Sequence, residues 1–471
     1  MPGCLSALLP SRSSRRAAAP AAHRRAEEIA QAQEHTLHAC CGSFALLDTD
    51  EKRASDDDDV PPAYPLTGVL DQLSSTIKAK VDALSGELRD LSLKMWDLHE
   101  VRWEERKTHD LFVEYLSHRD GWKVTPHAFG VETAFSAEFV HQSGSGAKGD
   151  KVPTIGFQSE LDALPGIGHA CGHNLIAISG VAAALSVAEA LEKHDVSGRV
   201  ILLGTPAEEG GGGKINLLQA GAYKDMDACL MVHPSPFDNV ARMLAVVPIY
   251  VSFEGVPAHA GAVPWEGKNA LDAGVLSYMS ISALRQQIKT DCRVHGILQG
   301  TDWAPNVIPD NCKLEYNVRA PTAKAVEELA GRVEKCFEAA SLATSCKVKI
   351  ERGAVYADVA NSTTLTTAYR QYMKSEYDLK VDSGVWEAST DFGNITYELP
   401  GIHALYQIPL GDPHKNGNHT KGFADAAKTP EAHEATLKAA TGIAVIGAKV
   451  LVDKEFRDET WKAWKEARKD K

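Results

Sequence analysis

Gly168-His169-Ala170-Cys171-Gly172-His173-Asn174 sets one thiol and two imidazoles within five residues, and its place between a strand pattern and a helix pattern decides the fold. Upstream, Val152–Ser159 reads as a buried strand that runs into Glu160-Leu161-Asp162-Ala163-Leu164-Pro165. Downstream, Leu175–Lys193 is an Ala-rich helix and Arg199–Gly204 a second strand. Glu208-Glu209 and four glycines come next, then a helix from Ile215 to Ala220 and a strand over Ala228–Val232. This strand–helix–strand alternation predicts an α/β fold with a mostly parallel sheet. Its polar residues fall at strand C-termini, where open α/β sheets place their sites.

Outward from that centre the character changes twice. Residues 1–60 read as a tail that ends in the solvated charge run Asp56–Asp59. Helical patterns over Leu70–Leu98 and Glu104–Leu116 and short β-like runs follow, with Gly144–Gly149 as a loop tip. The first segment of the main unit is set at residues 61–244. From 245 to 360 the pattern is strand Val246–Phe253, helix Asn269–Gln287, strands Val294–Leu298 and Cys312–Val318, helix Ala323–Ala340 and strand Lys347–Ile350. That order predicts an inserted α+β sandwich. Residues 361–471 return to the first unit, with a strand at Ala404–Ile408 and a closing helix at Pro430–Val450.

Composition narrows the classes. A chain of 471 residues is too long for one ordinary core. Its net charge of −13 argues against a nucleic-acid partner. No run of about 20 apolar residues stands out, so no membrane span is expected. The nine cysteines are scattered apart from Cys40-Cys41 and form no CxxC pair, which fits free thiols in a reducing cytoplasm. Arg12, Arg15, Arg16, Arg24 and Arg25 among Ala, Ser and Pro offer a mitochondrial transit segment as the alternative.

The chemistry lies in an ordered set. Cys171 and His173, separated by one glycine, can both turn inward ahead of a helix. Glu209 lies past the end of a strand, and His233 follows another. His419 stands in Asn416-Gly417-Asn418-His419-Thr420, with His403, His414 and His433 as neighbouring alternatives. Five such ligands, one able to bridge, suffice for two divalent ions about 3.5–4 Å apart: zinc first, manganese or cobalt as alternatives. Glu208, adjacent to a ligand, is placed to act as general base. Asp162 would orient a histidine ligand through its other ring nitrogen. Trp386 and Trp265 are candidate pocket-lining aromatics, although buried aromatics belong mostly to cores.

These blocks resemble the dinuclear-metal amidohydrolases and exopeptidases that include aminoacylase, carboxypeptidase G and the auxin-conjugate hydrolases. The resemblance spans roughly residues 85–450 and rests on Glu160–Pro165, His169–Asn174, Thr205–Gly213, His233, Gly255–Ala262, Asn306–Pro309, Arg319, Ser389–Asn394 and His419. Gly166–Asn174 and Ala388–Ile395 are most similar to two branches. One comprises dipeptidases for substrates with a basic C-terminal residue, such as β-alanyl-lysine; the other is the aminobenzoyl-glutamate hydrolase subunit. Asn174 departs from the aspartate usual after the CGH block, which would alter the charge near the site.

The resemblance implies a zinc-exopeptidase-like catalytic domain with an inserted lid or dimerisation domain, and hence a homodimer. It makes Cys171 the bridge between the ions. His259 would stabilise an oxyanion, commonly in the partner subunit's site. Asn306 and Arg319 would hold a substrate carboxylate, and the stretch around Ser389 would line the pocket.

The expected activity is metal-dependent hydrolysis of the amide bond in a dipeptide or N-acyl amino acid, by a metal-activated water with Glu208 as base. The rival substrate is an aminobenzoyl-glutamate or another aromatic amide. A catalytically silent metal-binding relative is the rival class, and the intact Glu208-Glu209 pair and full ligand set argue against it. A thiolate nucleophile is a third reading of Cys171.

Overall fold

The chain, as a computed structural model, is described over residues 68–144 and 152–468. The expected tail at residues 1–60 and all but the first residue of the Gly144–Gly149 tip lie outside these. Two amphipathic helices lead, α1 (Val69–Leu98) and α2 (Arg106–Ser117). Then come β1 (Trp122–Pro126), β2 (Phe135–His141), β3 (Thr154–Glu160), α3 (His173–Lys193), β4 (Gly198–Thr205), α4 (Gly213–Gln219) and β5 (Ala228–Ser235). Next are β6 (Arg242–Met243), β7 (Ala245–Glu254), α5 (Ala270–Leu284), β8 (Arg293–Gln299), β9 (Asn311–Ala320), α6 (Ala323–Thr344) and β10 (Lys347–Arg352). The last are α7 (Thr363–Tyr377), β11 (Val385–Trp386), α8 (Phe392–Glu398), β12 (Gly401–Gln407), α9 (Lys421–Ala426), α10 (Pro430–Val452) and α11 (Lys454–Glu466).

The main sheet runs β1-β2-β4-β3-β5-β12. Pairs β4/β3, β3/β5 and β5/β12 are parallel, while β1 and β2 form an antiparallel margin. Every residue of β3 and of β5 is buried, as expected of strands covered on both faces. β5 extends past the anticipated Val232, so His233 lies inside a strand rather than after it. The extension passes through Pro234 because β3 pairs with β5 only as far as Leu230, which leaves that edge of β5 free of a ladder bond beyond it.

A second, fully antiparallel sheet, β10-β7-β9-β8, carries α5 and α6 and closes its own core around Phe253, Tyr316 and Phe337. The side chain of Thr322 caps α6 by accepting from Ala325 N, and Thr429 caps α10 with Pro430 in the first turn.

Two helices do qualify by length and apolar composition as membrane spans, contrary to the sequence reading: α3 and α10. Of their apolar windows, 94% and 83% respectively are buried inside the fold. α3 packs against β3 on one side and against α1 and α10 on the other. A helix enclosed all round has no polar face to show in its sequence.

Candidate metal centre

Four loops at one edge of the main sheet converge. Between β3 and α3 the chain turns at Gly172, whose φ is +81°. A Cβ there would lie 2.5 Å from Pro234 Cγ, so only glycine fits between Cys171 and His173. After β4, Ala207 adopts a left-handed φ of 54°. The next two amides point at one carboxylate: Glu208 N and Glu209 N donate to the two Asp162 oxygens at 3.1 and 2.9 Å. Tyr356 ties the same loop down, its hydroxyl donating to Glu208 O and accepting from Gly212 N, both at 2.8 Å. The chain at His419 turns with φ 66° and its N–H donates to Ala170 O at 2.8 Å.

These turns bring together all five anticipated ligands. One donor atom each from Cys171, His173 and His233 lies within 4.8 Å of the others, and so does one each from Cys171, Glu209 and His419. The two triads share only the thiol. Cys171 Sγ is 3.4 Å from His233 Nε2, and His419 Nε2 is 3.2 Å from Glu209 Oε1. His173 Nδ1 faces the Asp162 carbonyl at 2.7 Å and His233 Nδ1 faces the Pro234 carbonyl at 2.8 Å. Both rings are thereby held as Nδ1–H tautomers with Nε2 turned into the cluster. Asp162 does position His173, but mainly through its main-chain carbonyl; its carboxylate serves the Glu208-Glu209 amides.

The donor set fits a borderline-soft divalent ion: thiolate, imidazoles and a carboxylate. His173 Nε2 and Glu208 Oε2 are buried without a hydrogen-bond partner. Buried polar atoms are seldom left so unless a ligand completes them.

The electrostatics follow from crowding. Burial favours the neutral form of His173, yet Glu160, Asp162 and Glu209 outweigh it and lift the pKa to about 9. His233 has less carboxylate support, and burial lowers it to about 4. Burial, then Glu160 and Glu209, push Glu208 well above the usual carboxylate range. Glu209 stays low because His419 and His173 overcome its burial.

Residues 149–439 match the sequence pattern of peptidase family M20/M25/M40. The chain belongs to this family. It is 40% identical over 423 residues to the Xaa-Arg dipeptidase of Mus musculus, spanning 84% of this chain and 95% of that protein. It is 31% identical over 300 residues to a subunit of the p-aminobenzoyl-glutamate hydrolase of Escherichia coli, spanning 59% of this chain and 60% of that one. The fold is shared with a dinuclear metal binding M20 peptidase of Bacillus subtilis (TM-score 0.57, 19% identity, 79% of this chain and 99% of that chain). It is shared too with an aminobenzoyl-glutamate utilization protein of Klebsiella pneumoniae (TM-score 0.59, 16% identity, 80% and 99%). The family makes this chain a peptide-bond hydrolase.

Other anticipated residues of the M20 enzyme are placed unevenly. Arg319 is buried and donates through Nη1 to Ser389 Oγ at 2.9 Å, so these two do meet. Trp386 stands edge-on to His233, their ring centroids 6.4 Å apart. Trp265 is 74% exposed within the chain, on a short turn after β7. His259 and Asn306 sit side by side, Ala260 N donating to Asn306 O at 3.0 Å, but both are exposed and neither is brought to Cys171 within the chain. Asn174 is turned away from the centre. Its amide donates to Ser92 Oγ at 2.9 Å and to Ala427 O at 3.0 Å.

Several buried groups of the peptidase carried no role in the sequence reading, or, in the case of His403, only that of an alternative to His419. Lys214 Nζ lies 2.6 Å from Glu160 Oε1 and 2.7 Å from Asp391 Oδ1. Glu105 accepts from Trp103 N, Ala207 N and Thr133 Oγ1 and supports the Glu208 loop from beneath; burial, then Asp162, raise it to about 7. His403 is buried beside His233. One signal was available for Lys214: it opens a helix, where the dipole repels a cation unless acidic partners hold it.

Proposed function

We propose that this peptidase hydrolyses dipeptides and N-acyl amino acids that carry a free carboxylate, dipeptides with a C-terminal Arg or Lys first among them. The observation that carries the reading is the pair of ligand triads joined by one thiol, with Glu208 3.9 Å from the Nε2 of one of the ligands, His173. Two divalent ions, zinc before manganese or cobalt, would be held by Cys171, His173, Glu209, His233 and His419, the thiol being the donor the two triads share. When bound, they supply Lewis acidity toward the scissile carbonyl and lower the pKa of water.

The chain's own residues do the rest. Glu208 takes a proton from the attacking water as the new C–O bond forms, then delivers it to the nitrogen as the C–N bond breaks. Its position is fixed by the Asp162 carboxylate and the Tyr356 hydroxyl, which grip its main-chain N–H and C=O. Arg319, set by Ser389, holds the substrate carboxylate through its planar fork.

His259 and Asn306 serve the site of a partner subunit, where His259 stabilises the oxyanion. An apolar surface supports the homodimer: α5 packs Ala273, Ser277 and Ile281 inward and exposes Val275, Leu276, Tyr278 and Met279.

Metal analysis combined with a panel of dipeptides ending in Arg, Lys, Glu or Phe and aminobenzoyl-glutamate tests the reading. Two ions per chain and fastest turnover of the basic dipeptides are expected. Preference for aminobenzoyl-glutamate would move the substrate to the other branch. Under one ion per chain with no turnover would refute the enzyme.

A further inference from the structure

Lys214 is fully buried, and three carboxylates surround it. Its ammonium reaches Glu160 Oε1 and Asp391 Oδ1, and its main-chain N–H donates to Asp391 Oδ2 at 2.9 Å, so Asp391 grips the same residue twice. One oxygen each of Glu160, Glu208 and Asp391 lies within 4.8 Å of the others. That is the donor arrangement of a small cation site, with an ammonium where the cation would be.

The consequence concerns Glu160. Its second oxygen, Oε2, is 3.3 Å from His173 Nε2, nearer than Glu208 at 3.9 Å or Glu209 at 4.0 Å. His173 Nε2 is the ring nitrogen turned into the donor cluster, since Nδ1 faces the Asp162 carbonyl. An unrestrained Glu160 would therefore be a sixth protein ligand and would fill a position that a hydrolytic site must leave open.

We propose that Lys214 is a positioning residue that withholds Glu160 from the metal, so that the ion faced by His173 keeps an open coordination position beside Glu208. This deepens the proposed function and rests on it. Gly213 supports the same geometry: a Cβ there would meet Pro206 O at 1.7 Å, so the chain enters α4 by a path that only glycine permits, directly ahead of Lys214.

The test compares wild type, Lys214→Met and the charge-balanced pair Glu160→Gln/Lys214→Met, each as the full chain loaded with Co(II). Metal stoichiometry, the Co(II) d–d spectrum, kcat and KM are read on an Xaa-Arg dipeptide. In Lys214→Met, two ions are retained, d–d intensity falls as a carboxylate oxygen raises the coordination number, and kcat drops about 10- to 100-fold with little change in KM. The double variant regains the wild-type spectrum and most of kcat, because the competing ligand is gone.

An unchanged spectrum and wild-type kcat in Lys214→Met would overturn the proposal, as would a double variant as impaired as the single. If Lys214→Met does not fold, Lys214→Gln, whose shorter neutral side chain lacks the ammonium that bridges Glu160 and Asp391, takes its place with the same two outcomes. A wild-type chain that binds two ions but cleaves no dipeptide would instead overturn the proposed substrate and leave the coordination change in Lys214→Met to be read by spectrum alone.

Discussion

Removing the Cys171 thiol should empty both metal positions at once. Cys171 is the one donor common to the Cys171/His173/His233 and Cys171/Glu209/His419 triads, so Cys171→Ala takes each from three protein donors to two. Tetradentate zinc sites bind with roughly 10–16 kcal/mol, which is about 3 kcal/mol per ligand. That corresponds to about 100-fold weaker binding at each position. Cys171 is buried, so the smaller alanine also leaves two neighbouring imidazoles facing a gap rather than a ligand. Cys171→Asp should behave differently, because a carboxylate offers two oxygens and can span two ions. The assay is metal content after dialysis against a graded series of a chelator, with turnover measured in parallel. Expected are loss of both ions together in Cys171→Ala, and retention of two ions with measurable turnover in Cys171→Asp. Stepwise loss of a single ion from Cys171→Ala, or two ions retained without the thiol, would refute the shared-ligand geometry. A nucleophilic thiolate would be indicated if Cys171→Asp kept both ions but was fully inactive.

Glu208→Gln should keep both ions and its main-chain bonds to Asp162 and Tyr356 while kcat falls about 100- to 10,000-fold, the range for a lost general base; near-normal kcat with metal bound would remove Glu208 from the reaction. Mixing inactive His259→Ala with inactive Glu208→Gln should restore about a quarter of wild-type activity, since half the dimers are then mixed and each has one site with both groups intact. No recovery after subunit exchange would place His259 outside the partner's site. Glu105, raised to about 7 by burial, holds its proton more tightly in the folded state, so its contribution to stability is present in acid and falls as pH rises from the ordinary carboxylate range through about 7. In Glu105→Gln that slope, on the order of 3 kcal/mol, should flatten in urea melts between pH 5 and 8; an unchanged slope would assign it elsewhere. Because His173 titrates near 9 in the metal-free chain and must shed that proton before Nε2 can ligate, apparent metal affinity should fall about tenfold per pH unit on acidification, and pH-independent chelator competition would contradict this.

Strand and helix order was legible because the main sheet is parallel and buried. β3, β4 and β5 are short apolar runs separated by a helix and turns, and each was located to within about two residues except at the end of β5. Pro234 reads as a strand terminator, and only the three-dimensional fact that β3 stops short of that edge makes it tolerable. The five candidate ligands were legible for another reason: thiol, imidazole and carboxylate recur as an ordered set at the ends of the expected strands. Trp265 and Trp386 could not be told apart, since a tryptophan beside a loop glycine and one in a two-residue strand look equally apolar in sequence. Asn174 pointed to the right branch for a reason invisible there. Its amide supplies two donors to Ser92 and Ala427, which an aspartate could not. Lys214, Glu160 and Asp391 are each plain in the sequence, but their meeting depends on contacts across 54 and 177 positions, and no periodicity reports that.

The buried charges explain why these groups occur together. Glu160, Asp162, Glu208, Glu209 and Asp391 are all nearly or fully inaccessible, and Lys214 stands against them. Five carboxylates and a Cys171 thiolate against one ammonium leave five negative charges, of which two divalent cations would offset four. Without the cations the crowding favours the protonated forms: His173 rises to about 9, Asp391 to about 6, and Glu208 well above its ordinary range, the last two driven first by burial. Protons and metal ions thus compete for one pocket, and the outcome differs by residue. At His173 the metal must win outright, because one nitrogen cannot hold both. At Glu208, adjacent to a ligand but not in either shared-thiol triad, the two influences oppose without excluding each other: neighbouring carboxylates favour the protonated acid and nearby cations favour the anion. In the proposed reaction, a group that accepts a proton from water and returns it to an amine within one turnover needs that balance, since a carboxylate locked in either form could perform only half of the transfer. Lys214, buried against Glu160 and Asp391, contributes one positive charge of the chain's own, and so keeps that balance from depending on the metals alone.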